Sequence, residues 1–454
     1  MTENHERPLS PGDFPSAQVP DPTRRRFVQQ AASSAAALLT LAALRPSASL
    51  ASPADLAPPA PEAAPVRSRT DGASRPFKIN VPRSVLDDLQ SRLGRPRWPD
   101  EVAGAGWDYG TNREYLQQLT AHWRTGYDWR AQEAKLNQFP QFMTDVDGFG
   151  LHYVHITGKG PDPLPLLLTH GWPDSFFRFV KLIPLLTDPA RYGGRAEDSF
   201  TVVVPDIPGF GFSERPTKPG YDTRTTADLF AQLMTKVLGY KTFVAHGGDF
   251  GASITEQLAL HHPEVLRAIH INNVPPQHAQ MAKPEGLSAI EKAYLLEVKA
   301  YGEKEGAFTQ IQSTKPQTLS YGLNESPVGL LAWIVEKFYD WSDKGPHQRL
   351  PFTQDDLLTN VMIYWVTQTI GSSTRFYYEK AHDPAATAPG YVKVPTGFAT
   401  FAKDIIPAPR QFAERYFNIQ RWAEIPHGGH FAALEVPDLL ATQLREFFRP
   451  FRKT

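Results

Sequence analysis

The chain contains no cysteine, which excludes disulfide staples, thiolate metal sites and a cysteine nucleophile. It has no excess of either charge: 47 Lys and Arg stand against 48 Asp and Glu, a formal net charge of -1. A nucleic-acid or anionic-membrane partner would need a field of one sign, and there is none to attract it. Nor does any apolar run reach the roughly 20 residues that a membrane-spanning helix needs. What remains is a chain of 454 residues, 41% hydrophobic and 21% charged. That is an ordinary globular composition, long enough for a large core with additional modules. No internal repeat is visible.

The N-terminus reads as an address label. Thr23-Arg24-Arg25-Arg26-Phe27 precedes a short, mildly apolar stretch over 28–44, and Ser47-Ala48-Ser49-Leu50-Ala51 offers the small residues that a signal peptidase requires. This pattern predicts a twin-arginine export signal over 1–51, a periplasmic or secreted mature protein, and no lasting membrane anchor. Residues 52–74, rich in Ala and Pro at their start, read as a linker.

Residues 75–142 read as an accessory layer. Phe77-Lys78-Ile79-Asn80-Val81 alternates like a strand, and Pro82 then opens a helix with Val85, Leu86, Leu89 and Leu93 on one face. The stretch to about 140 reads as helical, with Trp98, Trp107, Trp123 and Trp129 as packing surface. Over 143–274 short apolar runs alternate with amphipathic helices: 164–168, 200–204, 242–245 and 266–271, with a helical stripe of Leu229, Phe230, Leu233, Met234, Val237 and Leu238 between the second and third. Continuous apolar strands alternating with helices define an α/β domain with a mainly parallel sheet and helices on both faces. The polar, aromatic and helical residues 275–388 interrupt it as a lid. The α/β texture returns over 389–454, with strand-like runs at 391–398 and 421–425 and a final helix carrying Leu439, Leu440, Leu444 and Phe447.

The chemistry concentrates in Val244-Ala245-His246-Gly247-Gly248-Asp249-Phe250-Gly251. Small residues at 247 and 251 permit the sharp strand-to-helix turn that lifts one side chain into a cleft. Here that side chain is Asp249, either a nucleophile or the cap of the next helix. A carboxylate is already ionised at neutral pH; it can attack an alkyl carbon and form an ester, which water then hydrolyses at the Asp carbonyl. Upstream, Thr169-His170-Gly171-Trp172-Pro173 follows an apolar strand. Backbone N–H groups at Trp172 and Phe250 would form an oxyanion hole. Downstream, Gly428-Gly429-His430 places an imidazole suited to a general base, and Asp404 could orient it. The order nucleophile, acid, histidine is that of α/β hydrolases. The Pro205–Ser213 loop reads as a structural turn. His152 and His155 lie three apart on a strand, hence on opposite faces, and make a poor metal pair. His170 and His246 are expected to bond locally.

These motifs carry a resemblance. The chain from about residue 75 onward resembles the microsomal-type epoxide hydrolases, including the juvenile hormone epoxide hydrolases. It does so through H-G-W-P at 170–173, G-G-D-F-G at 247–251, S-T-K-P-Q-T at 313–318, L-N-E-S-P-V-G-L at 323–330, V-P-T-G-F at 394–398 and G-G-H-F-A-A-L-E at 428–435. The resemblance implies an α/β-hydrolase fold with an epoxide-hydrolase N-terminal region. It implies Asp249 as nucleophile, His430 as base and Asp404 as the orienting acid. No metal or organic cofactor is implied, and the partners are an apolar epoxide and water. It further implies lid tyrosines that donate to the epoxide oxygen: Tyr377, with Tyr378 competing for the place. The second tyrosine falls on Phe308, a substrate-side position without a donor. Either one phenol suffices with slower ring opening, or Tyr301 substitutes, or the substrate is not an epoxide. A haloalkane-type dehalogenase using the same aspartate, with Trp172 as halide donor, and a non-catalytic binder of apolar ligands are the alternatives.

Overall fold

The computed structural model describes residues 73–383 and 390–452; the expected export signal and all but the last two residues of the expected linker lie outside the described residues. Nine strands form one sheet in the order β1-β2-β3-β5-β4-β6-β7-β8-β9. They are β1 (Arg75–Phe77), β2 (Gln141–Val146), β3 (Phe149–Ile156), β4 (Leu164–Thr169), β5 (Phe200–Pro205), β6 (Phe243–Gly247), β7 (Leu266–Ile271), β8 (Val392–Lys403) and β9 (Phe417–Gly429). The pairings β1–β2, β2–β3 and β3–β5 are antiparallel, and all pairings from β5 to β9 are parallel. Every residue of β5 and β6 is buried, as expected for strands covered on both faces. The four apolar runs over 143–274 are thus β4 to β7, and the sheet is the mostly parallel one of an α/β hydrolase.

Before the core lie α1 (Arg83–Leu93), α2 (Arg113–Thr125) and α3 (Trp129–Leu136). The α1 stripe packs inward as its spacing predicts, with Leu89 and Leu93 buried and Val85 and Leu86 half-buried. Asn112 and Asp128 cap α2 and α3 by accepting from the Tyr115 and Ala131 backbone N–H groups. Trp123 and Trp129 are buried, and Trp107 stacks on Tyr339 at 3.7 Å, so these tryptophans are packing. Two sequence expectations change here. Residues 94–112 are not helical, because Pro96 and Pro99 and the positive-φ glycines Gly104, Gly106 and Gly110 break any helix. The strand expected over 77–81 ends at Phe77. Beyond it the backbone bonds side chains instead of a ladder: Ile79 to Asn137 in both directions, and the Val81 N–H to Glu133.

The core helices are α4 (Leu182–Thr187), α5 (Thr223–Gln232) and α6 (Phe250–His261). The predicted stripe from Leu229 to Leu238 is interrupted after α5, where residues 233–237 form a π turn. The lid is α7 (Gln277–Met281), α8 (Ala289–Glu305), α9 (Ala307–Thr314), α10 (Pro316–Glu325), α11 (Pro327–Asp340), α12 (Gln354–Thr367) and α13 (Ile370–His382). The chain closes with α14 (Arg410–Ala413), α15 (Ala432–Glu435) and α16 (Pro437–Phe448). In α16 Leu440, Leu444 and Phe447 are buried, whereas Leu439 is 40% exposed. Spacing 440, 444, 447 is one helical stripe, and residue 439 falls about 100° off it. Among the described residues no helix is long and apolar enough to cross a membrane.

Candidate active site

The site lies at the carboxyl ends of the parallel strands, where an open α/β sheet gathers its loops. Asp249 sits between β6 and α6 with φ 58° and ψ -127°, a conformation that costs a non-glycine residue about 1–3 kcal/mol. The neighbours enforce it. A Cβ on Gly251 would stand 2.0 Å from the Thr169 carbonyl oxygen, and one on Gly171 would stand 2.3 Å from Asp249 Oδ1. The Asn273 side chain after β7 accepts from the Asp249 backbone N–H at 2.9 Å. The Trp172 N–H donates to Asp249 Oδ1 at 2.8 Å, and the Phe250 N–H also donates to this carboxylate. The two expected oxyanion donors therefore already bond the aspartate carboxylate. Asp249 makes no side-chain capping bond to α6, so the reading of it as a helix cap is not what the elbow shows. Burial works against the charge of this carboxylate, but His430 and the two N–H donors outweigh it and hold its pKa below the usual value.

His430 follows β9 and presents Nε2 3.5 Å from Asp249 Oδ2, while its Nδ1 bonds Asp404 Oδ1 at 2.7 Å. Asp404 follows the end of β8, which runs to Lys403, five residues beyond the expected strand end. All three side chains are largely buried. Burial disfavours the imidazolium, yet Asp404 and Asp249 on either side raise the His430 pKa to about 9. The resting pair is an imidazolium between two carboxylates. The His430 backbone is held as well: its N–H donates to the Trp341 carbonyl at 2.8 Å, and its carbonyl accepts from Arg178 Nη2. Arg178 is 2% exposed and pairs with Asp174 at 2.7 Å. Asp174 in turn accepts from the Gly171 N–H at 2.8 Å.

Aromatic rings close over the carboxylate. Tyr377 on α13 meets Phe250 edge-on with centroids 4.6 Å apart and Trp172 at 5.7 Å. Tyr378 instead is 38% exposed and stacks on His382, which separates the two competing phenols. Burial first, then the Asp249 charge, raises the Tyr377 pKa well above its ordinary value, so the phenol keeps its proton at working pH. Phe308 is buried, stacked on Trp172 at 5.7 Å and 6.1 Å from the Tyr377 ring. Tyr301 accepts from Trp341 Nε1 at 2.9 Å, and the Trp341 ring packs on both Phe308 and His430. The Trp172 indole N–H is buried without an acceptor. Of the other lid aromatics, Phe338 stacks on Phe431 and the Tyr364 hydroxyl donates to the Asp174 carbonyl, both packing roles.

Four groups escaped the sequence reading. Arg178 and Asp174 stand four residues apart in D-S-F-F-R, a helical ion-pair spacing hidden in an apolar loop. Asn273 had no signal beyond its place after a strand. Lys380, one turn after Tyr377, donates to Ser253 Oγ at 3.1 Å over the Phe250 ring. Burial lowers its pKa to about 8, against the pull of Asp249 and Glu256. His152 bonds Asp206 and Gln141 inside the sheet, whereas His155 bonds Tyr240 on the other face. His170 bonds the neighbouring loop backbone and His246 bonds His270. Asp206 is fully buried and accepts from the Phe176 and Phe212 N–H groups, so the Pro205–Ser213 loop is structural. A large surface cleft of about 850 Å³ lies elsewhere, lined by Phe77, Lys78, Phe212, Arg215 and Arg375 among others, and none of the three buried site groups reaches it.

Fold and site together define an α/β hydrolase with a carboxylate at the nucleophile turn. Residues 74–179 match the epoxide hydrolase N terminus family and residues 165–293 the alpha/beta hydrolase fold family. The chain is 36% identical to epoxide hydrolase 1 of Oryctolagus cuniculus over 410 residues, covering 83% of this chain and 89% of that protein. It is 35% identical to juvenile hormone epoxide hydrolase 1 of Ctenocephalides felis, covering 84% and 87%. The crystal structure of juvenile hormone epoxide hydrolase from Bombyx mori superposes with a TM-score of 0.73 at 30% identity, over 84% of this chain and 95% of that one. The chain belongs to the epoxide hydrolase family.

Proposed function

We propose that this enzyme opens an apolar epoxide to a vicinal diol through an ester on Asp249. The observation that carries the proposal is the alignment of Asp249, His430 and Asp404, with the buried Tyr377 phenol close enough for the Asp249 charge to act on it. Asp249 Oδ2 attacks the less hindered ring carbon; the C–O bond breaks, and Tyr377 supports the departing alkoxide as a neutral donor. Ester formation removes the Asp249 charge, one of the two that hold the imidazolium. His430 then sheds the proton that balances the alkoxide and becomes a free base. It takes a proton from water, and the hydroxide attacks Cγ of Asp249. The oxyanion develops on Oδ1, the oxygen already bonded by the Trp172 N–H, with the Phe250 N–H donating to the same carboxylate. Collapse expels the diol, whose new hydroxyl takes the remaining proton, and the carboxylate–imidazolium pair is restored. Asp404 keeps Nδ1 protonated and the ring in place throughout.

One observation favours a second reading. The unpartnered Trp172 indole could hold a leaving halide, as a dehalogenase requires, although Phe250 supplies no second side-chain donor. Incubation with aryl and alkyl epoxides and with haloalkanes separates the two readings. Diol from the epoxides, and its loss by about 10⁴-fold in Asp249→Ala, is expected. Halide release without diol, or an undiminished rate in Asp249→Ala, would sink the proposal.

A further inference from the structure

The loop that carries His430 is bound through every backbone N–H from 428 to 431, and the acceptors come from two places. The Gly428 N–H donates to Asp343 Oδ2 at 2.9 Å and the His430 N–H to the Trp341 carbonyl at 2.8 Å. Both acceptors lie just past the end of the lid helix α11. The Gly429 and Phe431 N–H groups donate to Glu435, at 3.0 Å to Oε2 and 2.8 Å to Oε1. The same Oε2 also accepts from the Asp343 N–H at 2.9 Å. One carboxylate thus binds both residues that flank His430 and the lid segment that faces them. Space for this is made by Gly429, where a Cβ would stand 2.5 Å from the Trp341 carbonyl oxygen.

A carboxylate in this position is not there for cheap solvation. Burial pushes the Glu435 pKa up to about 7, against the three N–H donors that favour its charge and with Asp404 adding to the rise. A half-buried carboxylate bonded to three backbone N–H groups acts as a geometric clamp. Its load is the backbone from which the imidazole projects; Asp404 fixes Nδ1, and Nε2 lies 3.5 Å from Asp249 Oδ2. The same clamp carries Trp341, whose ring packs on His430 and Phe308.

We propose that Glu435 is a positioning residue that ties the lid end at 341–343 to the His430 loop, so that lid and base keep one geometry. Its kinetic consequence rests on the epoxide reading above, in which His430 must aim Nε2 at a water for hydrolysis of the ester, whereas in ring opening it only yields a proton to the alkoxide. Glu435→Gln tests it, since an amide turns a donor toward one of the N–H groups that the carboxylate accepts. Two measurements are made on the full chain. Amide hydrogen exchange should show residues 341–345 and 427–433 losing protection together, by about tenfold or more. Rapid mixing with an aryl epoxide should show ester decay slowed about tenfold or more, with ester formation changed less than about threefold. Exchange that rises in 427–433 alone, or in neither segment, would overturn the tie between lid and loop. Formation and decay slowed by the same factor would reduce Glu435 to a structural residue. If the wild-type protein forms no ester, the epoxide reading fails, while the exchange result still decides the clamp. Glu435→Asp, which keeps the charge but retracts it by one methylene, carries the same measurements should the Gln variant not fold.

Discussion

At the residue scale the site is an arrangement of charge. His430 is an imidazolium at rest because two carboxylates outweigh its burial and raise it to about 9. In the proposed mechanism ring opening consumes that proton, so the rate of ester formation should fall as pH rises through about 9. A rate still constant to pH 10 in stopped-flow measurements would remove the proton from the mechanism. The same shift has a stability consequence. A histidine raised above its unfolded value of about 6.5 stabilises the fold fully below that pH and loses this contribution as pH rises through about 9. Phe308 is the second residue-scale question. Its ring lies against Trp172 and 6.1 Å from Tyr377, where a phenol would add a donor. Phe308→Tyr should speed ester formation about tenfold, a modest share of what one oxyanion donor contributes. An unchanged or lower rate would mean that Tyr377 alone sets the step, or that Tyr301 already supplies the second hydroxyl.

At the element scale the nucleophile turn is the most constrained piece. Its form was legible because glycine at 247 and 251 around an ionisable residue leaves few other backbone solutions, and the Asp249 φ of 58° bears this out. Gly171 tests the other half of the turn. A Cβ there meets the Asp249 carboxylate at 2.3 Å, so Gly171→Ala should displace the proposed nucleophile and lower turnover about 100-fold with the fold retained. Full activity in that variant would mean that the loop relaxes freely. The strands β4 to β7 were legible as mostly apolar runs, since burial on both faces leaves few polar positions. The ends of elements were not. The strand expected over 77–81 stops where Asn137 and Glu133 take over its backbone bonds. The stretch 94–112 is shaped by proline and glycine, whose effect the aromatic pattern obscured. Leu439 shows the same limit: an apolar residue beside a buried stripe need not belong to it.

At the scale of the whole molecule, lid and core are joined through buried polar groups that no sequence period announces. Trp172, Phe250 and His430 could be singled out because each falls in a local motif, and Asp404 and Tyr377 through chain order and the family resemblance. Arg178, Asn273 and Glu435 each also reach a partner far along the chain, the His430 carbonyl, the Asp249 N–H and the Asp343 N–H, and only the folded chain brings these together. Arg178 spans 252 residues to reach the His430 carbonyl. Removing one partner of such a buried pair leaves the other uncompensated, so Arg178→Met should cost about 3–5 kcal/mol in denaturant unfolding. A loss under about 1 kcal/mol would show that Asp174 finds another partner.

The most direct test of the central claim is a single turnover, enzyme in excess, with an aryl epoxide in oxygen-18 water. The account predicts unlabelled diol, with the label entering the peptide that contains Asp249, because water attacks the Asp carbonyl and the diol oxygen comes from the enzyme. Labelled diol and unlabelled Asp249 would mean that water opens the ring directly, and the ester mechanism would be wrong.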